Sequence, residues 1–238
     1  MKVGILYICT GRYDMFWKEF YESCENNFLP NCEKEYYVFT DSKSEEFKMH
    51  PNVNVFYKEK LPWPLPAILR YQYFLSVDYN LDVEYLFFFN ANMRIEGAVS
   101  KEEFLPTKEN FVALSHPSLY NKKPQEFTYE PRVDSTAYID KDKGEHYFMS
   151  SLMGGKVKPF LDACRVMDKN IQIDLYKNII ALWHDESHWN RYLLGRSDVK
   201  ILSPSYGYPQ EMTLPFECKI MLRDKHLHGG HKFLRGRL

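Results

Sequence analysis

The most hydrophobic stretch of the chain, residues 84–89, ends abruptly at the polar motif Asn90-Ala91-Asn92. A short apolar run of this kind is typical of a buried strand near the centre of a sheet. Open α/β folds bind their ligands beyond the carboxyl ends of such strands. The segment therefore predicts a central strand with a candidate ligand site directly after it.

The amino-terminal part of the chain alternates between strand and helix patterns. Residues 2–9 form a continuous apolar run, and the apolar positions of residues 14–28 recur every three or four residues, as on an amphipathic helix. Two further strands are predicted at residues 35–41 and 53–57. Strand, helix and strand in this order begin a βαβ unit, so the fold class is α/β.

The remaining elements fit the same class. Alternating prolines keep residues 61–66 extended, so a helix can begin only after them, from residue 67 to about residue 77. A strand is predicted at residues 111–116, and helices are predicted at residues 161–182 and 184–194. No repeat or linker-like stretch divides the sequence, so we expect one domain over residues 1–238.

Charge and composition exclude several classes of protein. The 31 basic and 32 acidic residues give a net charge of −1, which argues against nucleic acid or an anionic membrane as a partner. No apolar run approaches the roughly 18 residues of a spanning helix, and the amino terminus shows no leader, so we expect a cytoplasmic chain without a membrane span. Five cysteines without a two-residue spacing indicate reduced thiols rather than disulfides or a thiolate zinc site.

Residues 184–188, His-Asp-Glu-Ser-His, carry the most distinctive chemistry. On a helix the two histidines would share a face, with two carboxylates between them. One interpretation is a zinc hydrolase that uses His184 and His188 as ligands. In another, a carboxylate stabilises or attacks a sugar anomeric carbon. A solvated helix start, with acids in its first turn, fits the sequence too.

Several blocks of the chain, in the same order, resemble glycosyltransferase family 6, which contains the histo-blood-group A and B transferases and the α1,3-galactosyltransferases. The similarity runs from about residue 5 to residue 204 and is weaker in the tail. The blocks that carry it are residues 36–41, 127–130, 137–139, 154–155, 182–190 and 192–194. The resemblance implies a GT-A fold, with a Rossmann-like mixed sheet flanked by helices. It also implies retaining transfer of Gal or GalNAc from a UDP-sugar, in α1,3 linkage, to a galactose-terminated acceptor.

The resemblance also implies roles for individual residues. Glu186 takes the place of the catalytic carboxylate. The positions that fall on uridine-binding and other donor-binding residues of the family are Ile8, Thr10, Tyr13 and Arg70, and those that fall on acceptor-binding residues are His116, Thr128, Trp183 and Asp185. The stretch that distinguishes Gal from GalNAc comprises Met149, Ser150 and Ser151.

One departure from the family pattern concerns metal binding. The animal members carry Asp-x-Asp, which binds Mn²⁺ on the donor diphosphate, where this chain has Asn90-Ala91-Asn92. A divalent cation needs anionic oxygen ligands to offset its dehydration, and neutral amides supply no charge. We therefore expect a metal-independent enzyme without a cofactor, in which Asn90 and Asn92 contact the ribose or the phosphates of the donor.

Without a metal, the charge of the leaving UDP must be neutralised by the protein. Residues 219–238 hold six lysines and arginines against one aspartate, which makes this tail a candidate anion clamp, although terminal basic residues are often only solvated. We expect Lys225, Lys232 and Arg235 to close over the diphosphate. We also expect a soluble, bacterial-type member of the family, without the membrane anchor and stem of the animal enzymes.

The size of two side chains predicts the donor sugar, and the resemblance to the family predicts the acceptor. Ser150 and Ser151 leave room for an acetamido group, so UDP-GalNAc is favoured over UDP-Gal as the donor. For the acceptor we favour a 2-fucosylated, H-antigen-like galactoside, which the blood-group-like members of the family require. Besides the zinc hydrolase, a glycan-binding module that has lost catalysis remains an alternative.

Overall fold

A seven-stranded mixed sheet is the frame of the molecule in this computed structural model, which describes residues 1–236. The strands of the chain are β1 (Lys2–Ile8), β2 (Glu33–Thr40), β3 (Val53–Tyr57), β4 (Tyr85–Asn90), β5 (Met93–Ile95), β6 (Phe111–Ser115), β7 (Phe148–Lys156), β8 (Val199–Leu202), β9 (Tyr208–Pro209) and β10 (Ile220–Leu222). Seven of them pair in the order β3-β2-β1-β4-β7-β6-β8, and β5, β10 and β9 form a second, smaller sheet. Arg237 and Leu238, at the end of the predicted tail, lie outside the described residues.

Helices cover both faces of the large sheet. They are α1 (Trp17–Asn27), α2 (Leu65–Ile68), α3 (Arg70–Leu75), α4 (Lys101–Phe104), α5 (Val157–Tyr176), α6 (Asp185–Leu193) and α7 (Gly230–Leu234). One core packs around Trp17 and Phe20 of α1, and a second packs around Phe74, Phe160 and Trp189 of α3, α5 and α6. The predicted α/β class, with a mixed sheet flanked by helices, is confirmed.

The central position predicted for the most hydrophobic strand is confirmed. β4 is the fourth of the seven strands, and its residues Leu86 to Phe89 are fully buried between the two cores. It pairs in parallel with β1, which sets Ile8 opposite Asn90 at the ends of the two strands. The ends of β1 and β4 are therefore level with each other at one edge of the sheet.

On its other side β4 pairs with β7, a strand that the sequence pattern did not predict. β7 runs antiparallel to both β4 and β6, which makes the sheet mixed. Its glycines permit this insertion, because a Cβ atom on Gly154 would lie 2.2 Å from the carbonyl oxygen of Leu86. A side chain at this position would force the two strands apart.

Several helix predictions need correction at their ends. The helix predicted from residue 14 begins as a 3₁₀ turn over Gly11–Phe16 and becomes α-helical only at Trp17. The helix predicted at residues 67–77 is divided into α2 and α3, which meet at Leu69, and α2 begins at Leu65, inside the stretch predicted to be extended. Pro66 is tolerated there because it lies in the first turn, where its missing N–H would have no helical partner. α5 starts and ends earlier than residues 161–182, and the predicted helix at residues 184–194 is α6.

The tail returns to the end of β1. After β10 the chain forms a 3₁₀ turn over Lys225–His228 and then α7, which packs against the Gly11–Phe16 turn. Gly11 has φ +72°, and a Cβ atom there would lie 2.8 Å from the carbonyl oxygen of Leu234, so only glycine permits this approach. Within residues 1–236, no helix has the length and apolar character needed to cross a membrane.

Candidate active site

A cavity of about 230 Å³ opens beyond the carboxyl ends of β1 and β4. β1 and the turn after it, α3, the residues that follow β4 and the tail all contribute to its walls. Eight of the predicted donor-binding residues line it, namely Ile8, Thr10, Tyr13, Arg70, Asn90, Asn92, Lys225 and Arg235. Among the further lining residues that the sequence prediction missed are Lys60, Trp63 and His231. The ligand site expected after the central strand is thus assembled from distant parts of the chain.

The cavity is strongly cationic. Arg70, Lys225 and Arg235 converge on it, and none of the described residues that line it is acidic. Burial, together with the positive charges of Arg235 and Arg70, lowers the pKa of Lys225 to about 8. The guanidinium of Arg235 stacks on the ring of Trp63 at 4.1 Å, and its buried Nε has no hydrogen-bond partner among the described residues. Unpaired buried donors and a depressed lysine pKa indicate a site that is built to receive an anion.

Arg70 connects this cavity to the carboxylates of α6. Its Nη1 donates hydrogen bonds to the Oδ2 of Asp185 and, at 3.1 Å, to the carbonyl oxygen of Ser150. The guanidinium also lies 4.3 Å from the ring centre of Phe88. Asp185 is buried, and burial raises the pKa of its carboxyl group while the charge of Arg70 opposes that rise. The predicted acceptor residue Asp185 is therefore the ion-pair partner of a predicted donor residue.

Glu186 lies in the first turn of α6, with both carboxylate oxygens held. Oε2 accepts a hydrogen bond from the backbone N–H of Ser150 at 2.8 Å, and Oε1 accepts one from the hydroxyl of Tyr147 at 3.0 Å. Burial raises the pKa of Glu186 to about 7; the N–H of Ser150 opposes the rise and the charge of Asp185 adds to it. A carboxylate that titrates near neutrality and is fixed at both oxygens is suited to covalent or electrostatic catalysis.

Tyr147, which the sequence analysis missed, links Glu186 to the predicted acceptor residues. Its ring centre lies 5.6 Å from that of His116, and its hydroxyl lies 3.5 Å from the carbonyl oxygen of Thr128. Burial lowers the pKa of His116 to about 4, so this imidazole is neutral at pH 7. The side chain of Trp183 remains 47% exposed beside the start of α6. In the sequence, Tyr147 stands two residues before the Met149 stretch. Nothing in the neighbouring residues indicated that Tyr147 contacts Glu186.

The other predicted donor residues lie at different positions. Met149 is partly buried in β7, and Ser151 is buried with a hydroxyl that has no hydrogen-bond partner within residues 1–236. Ser150 reaches both Arg70 and Glu186, through its backbone. Lys232 is exposed on α7 and does not line the cavity. The tail therefore presents Lys225 and Arg235, rather than Lys232, to the cavity.

The sequence profile of glycosyltransferase family 6 matches residues 1–235 of this chain. The chain belongs to glycosyltransferase family 6. Membership confirms the resemblance seen in the sequence and identifies the mixed sheet as a GT-A type of fold.

Bacterial and animal proteins are both among the relatives of this family 6 chain. The O-antigen biosynthesis glycosyltransferase WbnI of Escherichia coli is 37% identical over 226 residues, which cover 94% of this chain and 95% of that protein. The globoside alpha-1,3-N-acetylgalactosaminyltransferase 1 of Gallus gallus is 29% identical, over 91% of this chain and 64% of that protein. The histo-blood group ABO system transferase 1 of Rattus norvegicus is also 29% identical, over 88% and 62%. The chain thus spans less than two thirds of these two animal relatives.

The residues of this family 6 chain do not fit the Mn²⁺ of the Asp-x-Asp members. Asn90 and Asn92 offer neutral amides, and the Nδ2 of Asn92 already donates a hydrogen bond to the carbonyl oxygen of Arg223 at 2.6 Å. No group of three or more His, Cys, Asp or Glu side chains that could hold a metal occurs in the described part of the chain. The tail instead contributes the cations of Lys225 and Arg235 to this cavity.

The two histidines of the zinc hypothesis are arranged differently from the prediction. α6 begins at Asp185, and His184 precedes it with φ 54°, so His184 is not part of the helix. His188 is buried with its Nε2 3.8 Å from the Oδ2 of Asp174, and burial lowers its pKa to about 4. The pair therefore lacks the shared helical face that the zinc hydrolase interpretation requires.

Proposed function

We propose that this chain transfers GalNAc, or Gal, from a UDP-sugar to the galactose of a glycan, in α1,3 linkage, with retention of configuration and without a metal. One observation carries the proposal. Arg70 lines the cationic cavity and donates a hydrogen bond to the carbonyl of Ser150, whose own N–H donates one to Glu186. Ser150 of β7 thus connects the cationic cavity with the fixed carboxylate of Glu186. A reaction at the carbon attached to a diphosphate requires these two features side by side.

The positive charge of the cavity suits a nucleotide diphosphate donor. Ile8, Thr10 and Tyr13 line the wall at the end of β1, where the resemblance implies that uridine binds, and Asn90 would contact the ribose or the phosphates from the same cavity. Lys225 and Arg235 face the same space and would neutralise the diphosphate. Because UDP leaves with an additional negative charge, cations fixed beforehand stabilise the transition state more than the ground state.

Glu186 acts at the anomeric carbon. The bond from this carbon to the UDP oxygen breaks, with its electron pair remaining on the diphosphate, and a new bond to the acceptor oxygen forms on the same face. The departing diphosphate takes up the proton of the acceptor hydroxyl. Retention is achieved in one of two ways: Glu186 first captures the carbon and the acceptor displaces it, or Glu186 stabilises the positive charge during front-side attack. Both ways need the ionised carboxylate, which the hydroxyl of Tyr147 and the N–H of Ser150 favour.

The acceptor occupies the region around Tyr147. The half-exposed ring of Trp183 offers an apolar face to a sugar, and His116 and Thr128 lie against Tyr147. We propose a 2-fucosylated galactoside as the acceptor, on the resemblance to the blood-group transferases. Small side chains at Ser150 and Ser151 favour UDP-GalNAc as the donor, in keeping with the activity that the name of the Gallus gallus relative states.

The deciding experiment measures UDP release from UDP-GalNAc and from UDP-Gal in excess EDTA, with and without a 2-fucosylated galactoside. We expect release that depends on the acceptor, and it should be faster with UDP-GalNAc. Release that requires added Mn²⁺ would contradict metal independence. Glycan binding without turnover of either donor would instead support the glycan-binding module.

A further inference from the structure

Three hydrogen bonds join Asn92 and Arg223 in the interior, two of which form a reciprocal pair, and the third runs from the Nε of Arg223 to the carbonyl oxygen of Asn92 at 3.4 Å. The Nδ2 of Asn92 donates to the carbonyl oxygen of Arg223 at 2.6 Å, and the backbone N–H of Arg223 donates to the carbonyl oxygen of Asn92 at 2.9 Å. Asn92 is only 2% exposed. We refer to this reciprocal pair as the Asn92 latch. It joins the residues after β4 to the chain directly after β10.

The Arg223 side of the latch is itself fixed. Its guanidinium is buried, donates a hydrogen bond to Glu19 at 2.9 Å, and lies 4.5 Å from the ring centre of Phe16. The ring of His228, farther along the tail, packs on the same Phe16 at 4.8 Å. The latch therefore attaches the base of the tail to a rigid part of the fold.

Lys225 follows Arg223 by two residues and projects into the donor cavity. The intervening Asp224 begins the 3₁₀ turn Lys225–His228, with its Oδ1 accepting a hydrogen bond from the N–H of His226 at 2.8 Å. The orientation of the Lys225 side chain therefore depends on the position of the carbonyl group of Arg223. That carbonyl is held by the amide of Asn92.

The geometry points to Asn92 as a positioning residue, which fixes the base of the cationic tail so that Lys225 meets the donor diphosphate. Only a donor can serve here, because an ionised aspartate would place a negative oxygen against the carbonyl oxygen of Arg223. A metal motif needs an anionic oxygen at position 92, whereas the latch needs a hydrogen-bond donor there. One side chain cannot supply both. This inference rests on the proposed function for the identity of the anion, and it assigns Asn92 a task other than touching the donor.

The test compares UDP with uridine in EDTA, because only UDP carries the diphosphate that the tail meets. In the full chain, Asn92→Asp should weaken UDP binding about tenfold and change uridine binding less than about twofold, as measured by titration calorimetry. Asn26→Asp, an exposed change of the same charge on α1, is the matched control and should change neither affinity. Unchanged UDP affinity in Asn92→Asp, or an equal loss for both ligands, would overturn the inference.

A double-mutant cycle with Lys225→Ala shows whether Asn92 acts through the tail. We expect the loss of UDP affinity in Asn92→Asp/Lys225→Ala to be smaller than the sum of the two single losses, because part of the effect of the latch acts through Lys225 and only the part that acts through Arg235 persists once the lysine is absent. Additive losses would show instead that Asn92 contacts UDP directly. If Asn92→Asp fails to fold, Asn92→Ala removes the donor without adding charge and is measured in the same way.

Hydrogen exchange tests the latch without any ligand. Residues 224–235 should exchange faster in Asn92→Asp or Asn92→Ala than in the wild type, while β1 and β4 keep their protection. Unchanged exchange in the tail would refute the latch even if the wild type turned over UDP-sugars. Conversely, faster exchange in the variants of a protein that transferred no sugar would confirm the latch. It would refute the proposed function and, with it, the role of the latch in donor binding.

Discussion

The hydroxyl of Tyr147 donates a hydrogen bond to the Oε1 of Glu186 at 3.0 Å, and the ring of the same tyrosine packs against His116. The other oxygen of Glu186 is held by the N–H of Ser150, whose carbonyl accepts from Arg70. Glu186 is therefore fixed from the acceptor side through one oxygen and from the donor side through the other. Its position and its ionisation both depend on these two contacts.

Removing the hydroxyl of Tyr147 should change the pH dependence of transfer. The hydrogen bond favours the ionised form of Glu186, so Tyr147→Phe raises the pKa of that carboxyl group above about 7. We expect kcat/KM at pH 7 to fall about tenfold, and the acidic limb of the pH profile to move to higher pH. Tyr129→Phe removes a neighbouring hydroxyl that donates to the carbonyl of His146, and should leave that limb in place. An unshifted limb in Tyr147→Phe would contradict the role given to the hydroxyl.

Replacing the carboxylate of Glu186 should abolish transfer and spare donor binding. Glu186→Gln keeps the size of the side chain but provides no negative charge at the anomeric carbon, so kcat should fall about 1000-fold. Glu186 does not line the donor cavity, so the affinity for UDP should remain within about twofold of the wild type. Turnover near the wild-type rate in a folded Glu186→Gln variant would remove Glu186 from the mechanism.

The buried pair of Arg70 and Asp185 should be essential for stability. Both side chains are almost fully buried, and removing one of them leaves the other charged without its partner. Asp185→Ala should lower the free energy of unfolding by about 3 kcal/mol, as measured by urea denaturation. The double variant Arg70→Ala/Asp185→Ala should lose less than the sum of the two single variants. Additive losses would mean that the two charges do not stabilise each other.

The frame of the fold could be predicted because its signals are local. The apolar run of β4 and the helical period of α1 each lie within a short window of sequence, and both predictions are confirmed. β7 was missed because its residues Phe148–Lys156 include two serines and two glycines, which weaken the strand pattern. Gly154 is required by the close approach of β4, and Gly155 by that of Asn110 and Phe111 on the β6 side. No local window of sequence contains either contact.

The site shows the same division between local and distant signals. The resemblance to the family named Ile8 and Arg70, and the charge of the tail indicated Lys225; these residues lie far apart in sequence and line one cavity. The latch of Asn92 was not predictable, because its partner Arg223 is 131 residues away and contributes its backbone. A side chain that bonds to a distant carbonyl leaves no pattern of residue types, so the two asparagines looked equivalent in the sequence.

The lowered pKa of Lys225 should make UDP binding depend on pH. In the free enzyme, burial and the charges of Arg235 and Arg70 lower this pKa to about 8, whereas a bound diphosphate favours the charged amine and raises it. UDP binding therefore takes up a proton near pH 8, and the affinity should be highest below pH 8 and fall by up to about tenfold per pH unit above it. Calorimetry between pH 6.5 and 9.5 in buffers of different ionisation enthalpy measures both effects. Lys225→Arg, which stays charged, should bind UDP with little pH dependence over this range. A wild-type affinity that stays constant across pH 8 would show that Lys225 does not meet the diphosphate.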